Sequence, residues 1–176
     1  VKRILVIGTG GSGKTTVARR LAQRTGLPLI HLDALYWQPG WQPTPPEDWR
    51  AKVQTLISRD VWIIDGNYGG TLDARLEACD TVVFLDLPRL VCLWRVLKRL
   101  LRHVGRVRPE LPPGCRERLS WEFLAWIWTY PSRRRSDILR RLTALDRRKR
   151  VVMLRSSTAI DAFVAAVPLG SRPASA

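Results

Sequence analysis

Gly8-Thr9-Gly10-Gly11-Ser12-Gly13-Lys14-Thr15 fills every position of the pattern G-x-x-x-x-G-K-[S/T], the signature of a loop that wraps the phosphates of a nucleotide. Its flanks have the context that such a loop needs. Arg3-Ile4-Leu5-Val6-Ile7 is a short apolar run of the kind that forms a strand buried on both faces, and Thr15 to Arg24 carries Val17, Ala18 and Leu21 at helical spacing.

The residue types follow from the chemistry. Glycines let the backbone fold around an anion, so that successive N–H groups and the positive end of the next helix point at the phosphates. We expect Gly8, Gly10, Gly11, Ser12, Gly13, Lys14, Thr15 and Thr16 to form the nucleotide-binding set. Lys14 would bring a mobile charge to the β- and γ-phosphates, and the Thr15 hydroxyl would be a ligand of the Mg²⁺ that bridges them.

At 176 residues the chain is about one domain long and can bury a core without disulfides or metals. Cys79, Cys92 and Cys115 lie in no metal or disulfide spacing, which suits a reducing cytoplasm. There is no charged-then-apolar leader and no run of about 18 apolar residues, so neither secretion nor membrane spanning is expected. The net charge of +15 invites a nucleic-acid partner. It is concentrated, however. Arg89 to Arg150 holds 18 Lys or Arg against 5 Asp or Glu, leaving 12 against 10 elsewhere.

Further strands are expected at Leu27–Leu32, Val61–Asp65, Thr81–Asp86 and Arg150–Leu154, with helices between them at about 46–59, 72–78 and 90–102 and a closing helix at 160–167. This alternation implies an α/β fold with a five-stranded, mostly parallel sheet covered on both faces. Asp33 and Asp65 each end a strand, at the sheet edge where ligands of open α/β folds bind. Asp65, after four apolar residues, is the natural second Mg²⁺ residue, against the alternative of a helix cap; Asp86 reads as structural.

The Trp-, Gly- and Pro-rich stretch Tyr36 to Pro46 reads as an irregular loop, either a substrate flap or a surface excursion anchored by Trp37 and Trp41. Arg95, Arg99 and Arg102 share one helical face, residues 103–115 form a hinge-like loop, and a Trp-rich helix follows to Tyr130. There Trp121, Leu124 and Trp128 read as a packing seam before base stacking, and Pro131 opens a further helix.

With the loop at Gly8, the Asp65-Gly66 strand end, and Pro88 followed by Arg95 and Arg99, the chain resembles adenylate-kinase-like P-loop kinases. More closely, His31-Leu32-Asp33-Ala34-Leu35-Tyr36-Trp37, Ile63-Ile64-Asp65-Gly66-Asn67-Tyr68 and the Arg133 region look like the bacterial "topology modulation protein" family, a label for a genetic association and not for a reaction. The resemblance implies one P-loop kinase domain over 1–168, with a flap at about 33–60, an arginine-bearing lid at about 99–135 and a frayed tail at 169–176. It implies an ATP·Mg²⁺ site, with Arg95 near adenine and Arg99 and Arg135 reaching the transferred phosphates. Arg135-Ser136-Asp137 is similar to the Arg-x-Asp-Asp motif of such lids, except that Ile138 replaces the second aspartate; the distal arginine would be Arg140 or Arg141.

Asp33 stands where hydroxyl-phosphorylating relatives such as shikimate and gluconate kinases keep a carboxylate. A carboxylate there orients a hydroxyl and accepts its proton, or else holds Mg²⁺ through water. The expectation is a cytoplasmic ATP-dependent kinase, monomeric or homodimeric, acting on an unidentified small-molecule or nucleotide acceptor. The competing reading, less favoured, is a nucleic-acid-binding ATPase or polynucleotide-end kinase, for which the basic segment speaks. ATP is preferred over GTP by resemblance, since no Asn-Lys-x-Asp motif occurs.

Overall fold

Strand β1 (Arg3–Gly8) lies at the centre of a parallel sheet in the computed structural model, which describes residues 1–103, 112–115 and 120–170. The other sheet strands are β2 (Leu29–His31), β5 (Trp62–Asp65), β6 (Thr81–Leu85) and β7 (Arg150–Leu154), in the order β2-β5-β1-β6-β7. β3 (Trp37–Gln38) and β4 (Gln42–Pro43) form a separate antiparallel ribbon.

Alternation along β1 explains the two covered faces. Leu5 and Ile7 enter a core with Trp49, Val53, Ile64, Leu72 and Phe84, while Ile4 and Val6 enter another with Val17, Leu21, Ile63, Leu85 and Val164. Every β1 side chain from Ile4 to Ile7 is buried, as an apolar run in a doubly covered parallel sheet must be. The helices are α1 (Lys14–Thr25), α2 (Leu32–Tyr36), α3 (Pro46–Ile57), α4 (Leu72–Ala78), α5 (Arg89–His103), α6 (Trp121–Tyr130), α7 (Ser136–Thr143) and α8 (Ser157–Ala166). α1 opens on Gly13 and closes on Gly26, both left-handed, and Gly26 N–H donates to Ala22 O.

Local readings change in four places. β2 ends at His31, so Asp33 belongs to the short helix α2 and not to a strand end. The stretch expected to be irregular, 36–46, contains the β3–β4 ribbon; Trp37 and Trp41 stay half-exposed there, and the core anchor is Trp49. Pro131 starts no separate helix: helical dihedrals continue from Tyr130 through a π turn (Pro131–Arg135) into α7. The seam of α6 is turned from the one expected, with Ile127 and Tyr130 buried and Trp121 and Trp128 facing outward. The lid expected over 99–135 includes 104–111 and 116–119, which lie outside the described residues, as does the tail from 171.

Candidate active site

The turn Thr9–Gly13 closes on itself. The backbone N–H and the hydroxyl of Ser12 both donate to Thr9 O, at 3.2 and 2.8 Å, and Lys14 Nζ donates to the same carbonyl at 3.0 Å. Gly11 and Gly13 have φ of 76° and 96°, the left-handed region that favours glycine. The loop also has a tight roof. A Cβ on Gly10 would lie 2.6 Å from Cζ of Phe123 on α6, and one on Gly11 would collide with the Cys92 carbonyl of α5.

Register brings the first carboxylate to this loop. Val6 on β1 and His31 on β2 both pair with Asp65 on β5, so the end of β5 lies beside the start of the phosphate loop. Thr15 Oγ1 donates to Asp65 Oδ2 at 2.9 Å, and His31 Nδ1 lies 3.1 Å from that same oxygen. Asp65 Oδ1 is buried and has no hydrogen-bond partner. A threonine hydroxyl beside a carboxylate with one unused oxygen fits Mg²⁺, which keeps several waters and few protein ligands. The described residues hold no cluster of three His, Cys, Asp or Glu side chains of the sort that cages a metal alone. Desolvation lowers the Lys14 pKa below the usual lysine value, and the charges of Asp65 and Asp33 oppose the shift.

Asp33 faces the loop after β5. Tyr68 donates its hydroxyl to Asp33 Oδ1 at 2.6 Å, and burial, with the Asp33 charge behind it, pushes the phenol's pKa up. The Tyr68 ring contacts those of Tyr36 and Trp49 at 4.5 and 5.0 Å, so the flap's aromatic residues pack around this hydrogen bond. Tyr68 has φ of 33°, an uncommon conformation for a residue with a side chain.

Arg75 of α4 holds that conformation. Fully buried, its guanidinium donates to the carbonyls of Gly66 at 2.7 Å, Tyr68 at 2.8 Å and Thr71 at 3.2 Å, and also to that of Asn67. Its burial lowers its pKa to about 10. Asn67 completes the brace: its side chain accepts from Gly8 N at 3.0 Å and donates to Gly8 O at 2.6 Å. Arg75 therefore fixes one loop that touches the phosphate loop through Asn67 and Asp33 through Tyr68.

The basic residues named from the sequence are held in four different settings. Arg95 Nη1 donates to Ser12 O at 3.1 Å and Nη2 to Ser157 Oγ at 2.9 Å, so it lies against the outside of the phosphate loop. Arg99 sits over the Phe123 ring at 6.0 Å, near enough to Lys14 for its charge to be felt there. Arg135 is held by Asp86 in a two-pronged pair at 2.7 and 2.8 Å. Beside that pair a cavity of about 20 Å³ is bordered by Thr9 and Tyr130, whose buried hydroxyls have no partner. That is room for one water. Arg140 and Arg141 pair with Asp137, and Arg141 with Asp73 on α4, so neither stands with the phosphate-loop residues.

The sequence assigned no role to His31, Asn67, Tyr68 or Arg75. Only Arg75 left a signal: it shares the Leu72–Leu76 face of α4, where an apolar residue is expected.

No family model matches the chain. The chain is 27% identical over 123 residues to the ATP-dependent protease ATPase subunit HslU of Helicobacter pylori (strain P12) and 28% identical to that of Helicobacter acinonychis (strain Sheeba), covering 69% of this chain. It spans 23% of the length of those relatives. Solved structures match over nearly the whole chain. A shikimate kinase from Acinetobacter baumannii in complex with shikimate is 18% identical with a TM-score of 0.56, over 94% of this chain and 89% of that one. A shikimate kinase from Bacteroides thetaiotaomicron is 17% identical at 0.57, over 93% and 94%. A gluconokinase from Sinorhizobium meliloti 1021 is 20% identical at 0.51, over 93% and 87%. The chain shares the fold of these solved structures, a five-stranded parallel sheet with helices on both faces.

Proposed function

We propose that the chain is an ATP-dependent kinase, a single P-loop kinase-like unit over residues 1–168, that phosphorylates a hydroxyl of a small molecule. The observation that carries this reading is that Thr15 meets Asp65 at 2.9 Å beside the phosphate loop, with the other Asp65 oxygen unpartnered, while the loop after β5 holds Asp33 through Tyr68 at 2.6 Å. Bound there, ATP·Mg²⁺ would supply the phosphoryl group and a Lewis acid.

The chain's residues then divide the work. The loop from Gly8 to Thr16 would hold the phosphates, Thr15 and Asp65 would hold Mg²⁺, Arg95 would flank the nucleotide, and Lys14, Arg99 and Arg135 would offset charge on the transferred group. Asp33 accepts the proton of the acceptor hydroxyl as that oxygen bonds to the γ-phosphorus and ADP leaves. Tyr68 occupies one oxygen of Asp33, which leaves the other for the acceptor. The flap at 33–60 and the lid at about 99–135 would exclude water. The similarity of fold to shikimate and gluconate kinases supports a hydroxyl acceptor.

Purified protein screened against hydroxylated metabolites and nucleotides for acceptor-dependent ADP release tests this, with Lys14→Ala as control. Acceptor-stimulated release that Lys14→Ala abolishes is expected. ATP hydrolysis stimulated only by DNA would favour the polynucleotide reading, for which the outward-facing Trp121 and Trp128 speak.

A further inference from the structure

Helix α5 is apolar on two opposite faces. Cys92 and Val96 are buried against the phosphate loop, which uses up the inner face. Leu90, Trp94, Leu97 and Leu101 recur at spacings of four, three and four residues and so form one stripe on the other side. They are 66%, 61%, 40% and 83% exposed. A solvent-facing helix surface ordinarily carries polar residues there.

Charge narrows the occupant. From Arg89 to His103 the helix has no acidic residue and five Arg or Lys. Arg95 and Arg99 turn inward to the phosphate loop and Phe123, which leaves Arg89, Lys98 and Arg102 exposed. Lys98 Nζ lies 5.7 Å from the Trp94 ring centroid, a cation beside an apolar stripe. A second copy of the chain would bring like charges together on a molecule of net charge +15. Nucleic acid would match the cations and leave the leucines wet. A protein partner would need a groove shaped to a convex crest, whereas a bilayer interface takes a crest without one.

We propose that the outer face of α5 docks on an anionic phospholipid surface. Leu90, Trp94, Leu97 and Leu101 enter the boundary between headgroups and acyl chains, and Lys98 and Arg102 remain at the lipid phosphates. This is attachment to a surface: no helix among the described residues is long and apolar enough to cross a membrane. The proposal is independent of the reaction at the phosphate loop.

Co-sedimentation of the full chain with vesicles tests it, using phosphatidylcholine alone and phosphatidylcholine with about one-third phosphatidylglycerol, at about 0.15 M salt. Partition into the phosphatidylglycerol vesicles should exceed that into phosphatidylcholine at least tenfold. The double variant Leu90→Ser, Trp94→Ser should lose at least tenfold of that partition, with its unfolding temperature and ATP turnover unchanged, because both side chains are exposed and lie outside the flap and lid. Lys98→Gln with Arg102→Gln should weaken it as well. Equal partition of wild type and the serine variant would overturn the proposal, as would no partition at this salt. So would a wild-type dimer that the serine variant dissociates with vesicle binding unaltered, or a serine variant that loses affinity for duplex DNA and none for vesicles.

Discussion

The hydroxyl of Tyr68 donates to Oδ1 of Asp33 across 2.6 Å, between the loop after β5 and the short helix α2. Asp33→Asn should lower acceptor-dependent turnover by about 100-fold or more, the range of a lost general base, while calorimetry finds ATP affinity within a few-fold of wild type. Tyr68→Phe keeps the carboxylate and should lose only about three- to tenfold. If ATP affinity collapses in Asp33→Asn, the residue belongs to the metal side.

Stability should rise with pH around Lys14. Desolvation lowers its folded pKa below the unfolded value of 10.5, so the unfolded chain holds the extra proton in the window just below 10.5. Stability therefore increases as pH climbs through that window. Lys14→Met should flatten this rise, unfold at a higher temperature near neutral pH and lose nearly all turnover. Thermal unfolding from pH 7 to about 10 with both proteins checks the sign.

Asp65→Asn keeps the hydrogen bond to Thr15 in reach but removes the charge from the oxygen that has no partner. Mg²⁺ titration of turnover should show a half-saturation raised about tenfold. An unchanged titration would take Asp65 out of the metal shell.

Arg75→Met would remove at once the guanidinium donors to the carbonyls of Gly66, Asn67, Tyr68 and Thr71, of which Tyr68 O keeps its bonds from the N–H and hydroxyl of Thr71. Buried acceptors without partners are costly, and a loss of at least about 3 kcal/mol is expected in urea unfolding. Arg75→Lys, with three donors on a flexible stem, should recover part of it.

Arg135→Ala and Asp86→Asn both break the two-pronged pair between these residues. Only the first removes the guanidinium. If Arg135 also reaches the transferred phosphate, its kcat should fall at least tenfold below that of Asp86→Asn, at similar ATP affinity. Equal kcat values would make the arginine a strut for Asp86.

The phosphate loop and the sheet were legible because their signals are local. A glycine pattern states its own backbone, and runs such as Ile4–Ile7 or Val82–Leu85 state burial on both faces. Asp65 was legible for the same reason. Asp33 was found for its residue type and placed on the wrong element, since nothing between His31 and Asp33 marks where extension gives way to a helical turn. Arg75, Asn67 and Tyr68 stayed silent because their roles are relations between distant segments: Asn67 pairs with Gly8, 59 residues away. The outward turn of Trp121 and Trp128 depends on how α6 meets α5, which helical spacing alone leaves free.

The two glycines under the roof of the phosphate loop differ in what opposes them, and this bears on descent. Above Gly10 stands the tip of a side chain, Phe123, while above Gly11 stands main chain, the Cys92 carbonyl. Among proteins sharing this ancestry, a larger residue at position 10 becomes admissible wherever position 123 has shrunk, so the two positions should drift as a pair. No exchange at position 92 can move its carbonyl, and position 11 should stay glycine in every lineage that keeps α5 against the loop.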